Sequence, residues 1–189
     1  MEQRIYDSVA ENPIIAAVKD MEGLNKCIKL EDVKMIFILF GDINTINSIV
    51  EMVKASGKLA MVHIDLLVGL SAQEVSVDFI KMNTQADGII TTKQRLVRRG
   101  KELGLCTILR MFILDSLSLE NVKKQVNIEK PDIIEILPGV MPKIIRRICS
   151  CTKIPVIAGG LIADKEDIVG ALNAGAIAVS STNENVWEM

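Results

Sequence analysis

Short apolar runs alternate with longer amphipathic segments along the whole chain. Eight runs stand out, at residues 13–18, 35–41, 59–67, 86–92, 106–113, 132–139, 155–160 and 176–182. Most are rich in Ile and Val and lack strict polar alternation, the pattern of strands buried on both faces of a parallel sheet. The segments between them carry the helical period. Ile43, Ile46, Ile49, Val50 and Val53 share one side of a 3.6-residue repeat, while Asn44, Asn47, Glu51 and Lys54 face away. Glycines close several of these helices, at Gly57, Gly104 and Gly175, where a left-handed residue is favoured. Asp115 and Asp164 stand where a side chain can cap a helix N-terminus.

Eight strands joined by helical crossovers predict a TIM-type (β/α)8 barrel occupying residues 1–189 as one domain. An open doubly wound sheet is the alternative. The chain is short for a barrel, whose usual length is about 250 residues, so several helices must be brief. Residues 3–10 predict an extra helix ahead of the first strand, and residues 183–189 leave room for barely two turns at the end.

Composition narrows the class. With 49% hydrophobic residues and a net charge of −2, the chain is not disordered. No stretch approaches about 18 uninterrupted apolar residues, so no membrane span is expected. The opening MEQRIYDSVAEN has neither the basic start nor the apolar run of a secretory signal. Four scattered cysteines do not make a disulfide framework, and a reducing cytoplasm is the expected setting. The overall balance hides an asymmetry: residues 93–153 hold 13 Lys/Arg against 6 Asp/Glu, a local net of +7. Binding responds to that local field rather than to the total.

In such a barrel the loops after the strands build the functional face, often with a phosphate site after the seventh and eighth. Those ends read Ala158-Gly159-Gly160-Leu161 and Val179-Ser180-Ser181-Thr182-Asn183. Glycines let backbone N–H groups approach an anion, and a following helix adds hydroxyls and a favourable dipole. The same residues also suit a tight turn and a helix cap. His63 and Asp65, two apart on the third strand, are expected on one side of it. Thr91, Thr92 and Lys93 end the fourth strand, Arg110 lies in the fifth, and Glu135 lies in the sixth just before Pro138-Gly139. Lys93 and Arg110 are expected to pair with phosphate or with Asp65 and Glu135, because buried charges need partners. His63, the only histidine, serves equally as a ligand contact or as a hydrogen-bonded core residue. Cys149 and Cys151 with one distant histidine make a poor metal site, so neither metal nor cofactor is expected.

The basic stretch falls on the helices after strands four, five and six. Arg95, Arg98 and Arg99 face away from Leu96, Val97, Gly100 and Leu103, with Glu102 beside Arg98. Lys123 and Lys124 follow on the next helix, and Lys143, Arg146 and Arg147 face away from Ile144, Ile145 and Ile148 on the third. These charges form either an ordinary solvated helical face or one merged positive surface suited to a phosphate backbone. Phe112 is the only aromatic residue between Lys93 and Lys153, so stacking on single-stranded bases has little to work with.

Across nearly its whole length the chain resembles the glycerol uptake operon antiterminator regulatory protein family. The resemblance rests on residues 12–18 (NPIIAAV), His63-Ile64-Asp65-Leu66 with Gly69-Leu70, and residues 88–93 (GIITTK). It continues through residues 135–139 (EILPG) and 158–162 (AGGLI). It departs at Leu67, an apolar residue where a polar one is expected. The resemblance implies a barrel that binds glycerol 3-phosphate and acts on the leader of a messenger RNA to prevent premature termination. Carried to these positions, Gly159, Gly160, Ser181 and Thr182 would hold the phosphate. His63, Asp65, Lys93 and Glu135 would surround the glycerol, with Arg110 and Gly139 completing the ligand set. It also favours RNA as the partner of the basic helices, with no catalytic turnover, and a homodimer would enlarge that surface. The alternative is a small phosphate-binding barrel enzyme, a lyase or isomerase on a triose-like phosphate, using Asp65 or Glu135 as base and Lys93 as stabiliser. A third is a metabolite-binding protein whose partner is another protein.

Overall fold

The computed structural model describes residues 2–189, without the side chains of Glu2 and Lys123. Eight parallel strands close into a barrel in sequence order. They are β1 (Ile14–Val18), β2 (Met35–Ile38), β3 (Leu59–His63), β4 (Gly88–Thr91), β5 (Cys106–Phe112), β6 (Ile133–Leu137), β7 (Val156–Gly159) and β8 (Ala178–Ser181). The ring closes through β8 against β1, with Ile15 opposite Ser180. Every predicted run contains one strand, and closure excludes the open sheet.

Nine helices are described: α1 (Glu2–Glu11), α2 (Met21–Cys27), α3 (Ile46–Ala55), α4 (Glu74–Asn83), α5 (Gln94–Glu102), α6 (Ser116–Glu129), α7 (Pro142–Cys149), α8 (Lys165–Asn173) and α9 (Glu184–Trp187). Asp115 and Asp164 cap α6 and α8 as their positions suggest, by accepting from the amides of Ser118 and Asp167. Gly57, Gly104 and Gly175 all take positive φ. Among the described residues no helix is long and apolar enough to cross a membrane.

Strand alternation divides the core. One set of positions fills the barrel lumen: Ile15 and Ala17, Met35 and Phe37, Leu59 and Met61, Ile90, Cys106 and Ile108, Ile133, Ile157 and Ala178. Ile5 and Val9 of α1 pack into the same cluster, which accounts for the extra helix: it covers the lower end of the lumen. The intervening positions, such as Ile36, Val62, Ile89 and Val179, pack outward against the helices. This parity decides which side chains reach the functional face.

Candidate functional site

Continuing the lumen positions upward gives His63 on β3, Arg110 on β5, Glu135 on β6, and Gly159 and Ser180 on β7 and β8. An apolar interior thus ends in a polar level at the C-terminal ends of the strands. Arg110 and Glu135 are register partners on adjacent strands, and Arg110 Nε donates to Glu135 Oε2 at 2.6 Å. Ser180 Oγ donates to the other carboxylate oxygen at 2.6 Å. Glu135 is fully buried, and both its oxygens are engaged, which is the condition for holding a carboxylate in a lumen. Gly159 makes the arrangement possible. A Cβ there would stand 2.5 Å from Ser180 Oγ and 2.6 Å from Glu135 Oε1.

Two chambers flank Arg110. One, of about 380 Å³, is bounded by Arg110, Glu135, Gly160, Ser180, Thr182 and Asn183. The other, of about 350 Å³, is bounded by His63, Asp65, Thr92, Lys93, Arg110 and Phe112. The predicted ligand residues therefore gather at one end of the barrel, but divided about a guanidinium. Gly139 and Gly159 stand behind the first chamber's wall. Gly139 donates its N–H to Gly160 O at 3.0 Å, and a Cβ on it would meet Gly159 N at 2.9 Å. Gly160 and Leu161 both take positive φ, 74° and 64°, and Leu161 does so while exposed. A branched side chain in that region stores strain of about 1–3 kcal/mol, a cost that collects at ligand loops.

Several expectations need correction. β3 stops at His63, and Asp65 lies in a 3-10 turn over Ile64–Leu66, so strand alternation does not relate the two. They share a chamber because the chain turns there. Asp65 is not a partner of Lys93: its Oδ1 accepts from Thr91 Oγ1, and its Oδ2 from the amide and hydroxyl of Thr92, at 2.7–2.8 Å. The expected four-charge network is thus a single ion pair plus a carboxylate held by two threonines. β4 ends at Thr91, and Lys93 occupies the N-cap position of α5, exposed. Ser181 lines the first chamber with Thr182, as expected, but its hydroxyl is engaged, donating to Ile162 O at 2.8 Å and tying the β7 and β8 loops together. Ser180 and Asn183 also line this chamber; neither is among the expected ligand residues, and counting by twos from Ala178 points to Ser180. Leu67 is buried against the outer core, which explains an apolar residue in that loop.

His63 is 3% exposed, and its Nδ1 has no hydrogen-bond partner. Burial, and then the Arg110 charge, push its pKa down to about 4, so the ring is neutral near pH 7. A neutral imidazole can accept at one nitrogen, but Nδ1 is closed off from the chamber that the ring helps to line.

The basic helices are not one continuous positive face. Arg95 donates to the Ala72 carbonyl. Arg98 pairs with Glu74 at 2.9 Å and Glu129 at 3.7 Å, and Arg99 pairs with Asp78 at 2.6 Å and with Glu102, the residue expected beside Arg98. Acidic residues on neighbouring helices neutralise α5, which its own periodicity could not reveal. Lys124, Lys143, Arg146 and Arg147 are exposed, and the side chain of Lys123 lies outside the described set.

Residues 14–187 match the family described as glycerol-3-phosphate responsive antiterminator. The chain is 46% identical over 179 residues to the uncharacterized protein YgcP of Escherichia coli (strain K12), covering 95% of this chain and 93% of that one. It superposes on the glycerol uptake operon antiterminator regulatory protein of Listeria monocytogenes str. 4b F2365 with a TM-score of 0.90 at 30% identity, covering 94% of this chain and 95% of the other. A glycerol uptake operon antiterminator-related protein from Thermotoga maritima MSB8 gives 0.81 at 32% identity, covering 93% and 98%. With a barrel whose polar level faces two open chambers and a match that runs nearly end to end, the chain belongs to the glycerol-3-phosphate responsive antiterminator family.

Proposed function

We propose that this protein binds glycerol 3-phosphate at the barrel mouth and, so loaded, binds the leader of a messenger RNA to let transcription continue past a terminator. The observation that carries the ligand half is Arg110, whose guanidinium Glu135 holds between the two chambers. A cation already fixed in place loses little freedom when it meets an anion. The phosphate occupies the chamber of Gly160 and Thr182, reached by Arg110 and loop amides. The glycerol extends toward His63 at the wall of the second chamber, while Lys93 adds positive charge at the opening. Asp65 positions Thr91 and Thr92, which it holds through three hydrogen bonds.

The role is regulatory, exercised in the cytoplasm where the transcript is made, and involves no turnover. Sensing then requires that glycerol 3-phosphate favour the RNA-competent state. Titration of a labelled leader transcript with and without glycerol 3-phosphate, at 50 and 200 mM salt, tests the reading. Tighter, salt-dependent binding with ligand is expected. Equal affinity with and without ligand, or conversion of the ester to a product seen by NMR, contradicts it.

A further inference from the structure

Residues 136–163 form a run of 28 without a single Asp or Glu, and within it stand Lys143, Arg146, Arg147 and Lys153. Three of these project from α7. Positions 143, 146 and 147 share the face opposite the buried Ile145 and Ile148, and all three are exposed. The seven-residue rise from Lys143 to the exposed C-cap Ser150 makes a stripe about 10 Å long. This contrasts with α5, whose Arg98 and Arg99 are each bridged to two carboxylates. Two helices with similar sequence charge thus differ in field: among the described residues no carboxylate forms an ion pair with Lys143, Arg146 or Arg147, although Glu120 of α6 lines a surface hollow beside Arg147.

We infer that the outer face of α7, through Lys143, Arg146 and Arg147, is the surface that contacts the RNA phosphate backbone, and that α5 is not part of it. This rests on the antitermination reading above. Arginine and lysine without carboxylate partners exchange small counterions for phosphates, whereas Arg98 and Arg99 spend both terminal guanidinium nitrogens on carboxylates and must first give those up, unlike Arg110, whose bond to Glu135 uses Nε. No aromatic residue accompanies the stripe, so it reads the backbone of a folded hairpin rather than stacked single-stranded bases. The ligand site adjoins this helix through one loop. Glu135 begins the segment that leads through Gly139 into α7, and Gly139 donates to Gly160 O at the chamber wall. A shift of the Gly159-Gly160 turn on ligand binding therefore bears directly on the entry to α7.

The test uses the full chain, saturating glycerol 3-phosphate and a fluorescein-labelled RNA stem-loop, followed by anisotropy at several salt concentrations. Arg146→Glu/Arg147→Glu is expected to lower affinity at least tenfold. The milder Arg146→Gln/Arg147→Gln should make the slope of log affinity against log salt shallower by about 2, since each lost phosphate contact removes about 1. Circular dichroism checks that both variants keep the fold. Arg98→Glu/Arg99→Glu is the competing surface: a loss of RNA binding there, with the α7 variants still binding as wild type, overturns the assignment. Poly-glutamate competing as well as the RNA would point to an acidic protein segment and overturn it too. If the unmodified protein binds no RNA while glycerol 3-phosphate still binds, the antitermination reading falls and the surface with it. Binding that survives the α7 substitutions removes the surface alone.

Discussion

Arg110 and Glu135 face each other across neighbouring strands and share a 2.6 Å bond where the carboxylate has no solvent contact. Ser180 completes the group by donating to the other oxygen of Glu135. Removing one charge strands the other, which typically costs about 3–5 kcal/mol. Glu135→Gln is therefore expected to lower the melting temperature by roughly 6–20 °C for a chain of this length. Glycerol 3-phosphate, by supplying an anion to the orphaned guanidinium, should recover part of that loss. Differential scanning calorimetry with and without ligand measures both.

Gly159 is required by close approach rather than by backbone conformation. Its missing Cβ leaves room for the bond from Ser180 to Glu135. Gly159→Ala is expected to destabilise the protein by about 1–3 kcal/mol through overpacking. It should also weaken ligand binding, because the methyl group pushes Glu135 and hence Arg110. Urea unfolding and calorimetric titration of the variant give the two values.

The buried His63 makes the fold sensitive to acid. Its pKa is about 4 in the folded chain against an ordinary 6.5, so the unfolded chain takes up the proton first. Stability is unaffected by this group above pH 6.5 and falls as pH drops from 6.5 toward 4, by on the order of 3 kcal/mol in all. His63→Gln, which cannot be protonated, should flatten that part of the profile. Urea midpoints at half-unit pH steps for both proteins check it.

Leu161 sits at φ 64° on the rim of the chamber bounded by Gly160 and Thr182. Leu161→Gly removes the penalty for a side chain in that region and is expected to raise stability by up to about 1 kcal/mol. The loosened loop should bind ligand less tightly. A rise in melting temperature together with a weaker dissociation constant is the outcome to look for.

Much of this was legible in the chain alone. Ile- and Val-rich runs located all eight strands, and Gly57, Gly104, Gly175, Asp115 and Asp164 marked ends of α3, α5, α6 and α8. The barrel rule then brought His63, Arg110, Glu135, Gly160 and Thr182 to one face. What was hidden is tertiary. Whether a residue such as Asp65 still lies on its strand depends on where pairing stops. The carboxylates that neutralise Arg98 and Arg99 come from α4 and α6 as well as α5, and no periodicity within one helix reports a neighbour's charge. Parity would have separated Ser180 from Ser181, but only once the strand's inward phase was fixed.

The most direct measurement is isothermal titration of glycerol 3-phosphate into the purified protein, repeated with Arg110→Ala and with inorganic phosphate as competitor. One site per chain is predicted, lost in the variant and displaced by phosphate, with a matching stabilisation of about 2.7 kcal/mol at a ligand concentration 100 times the dissociation constant. Absence of binding by the unmodified protein, or unchanged binding by Arg110→Ala, would contradict it.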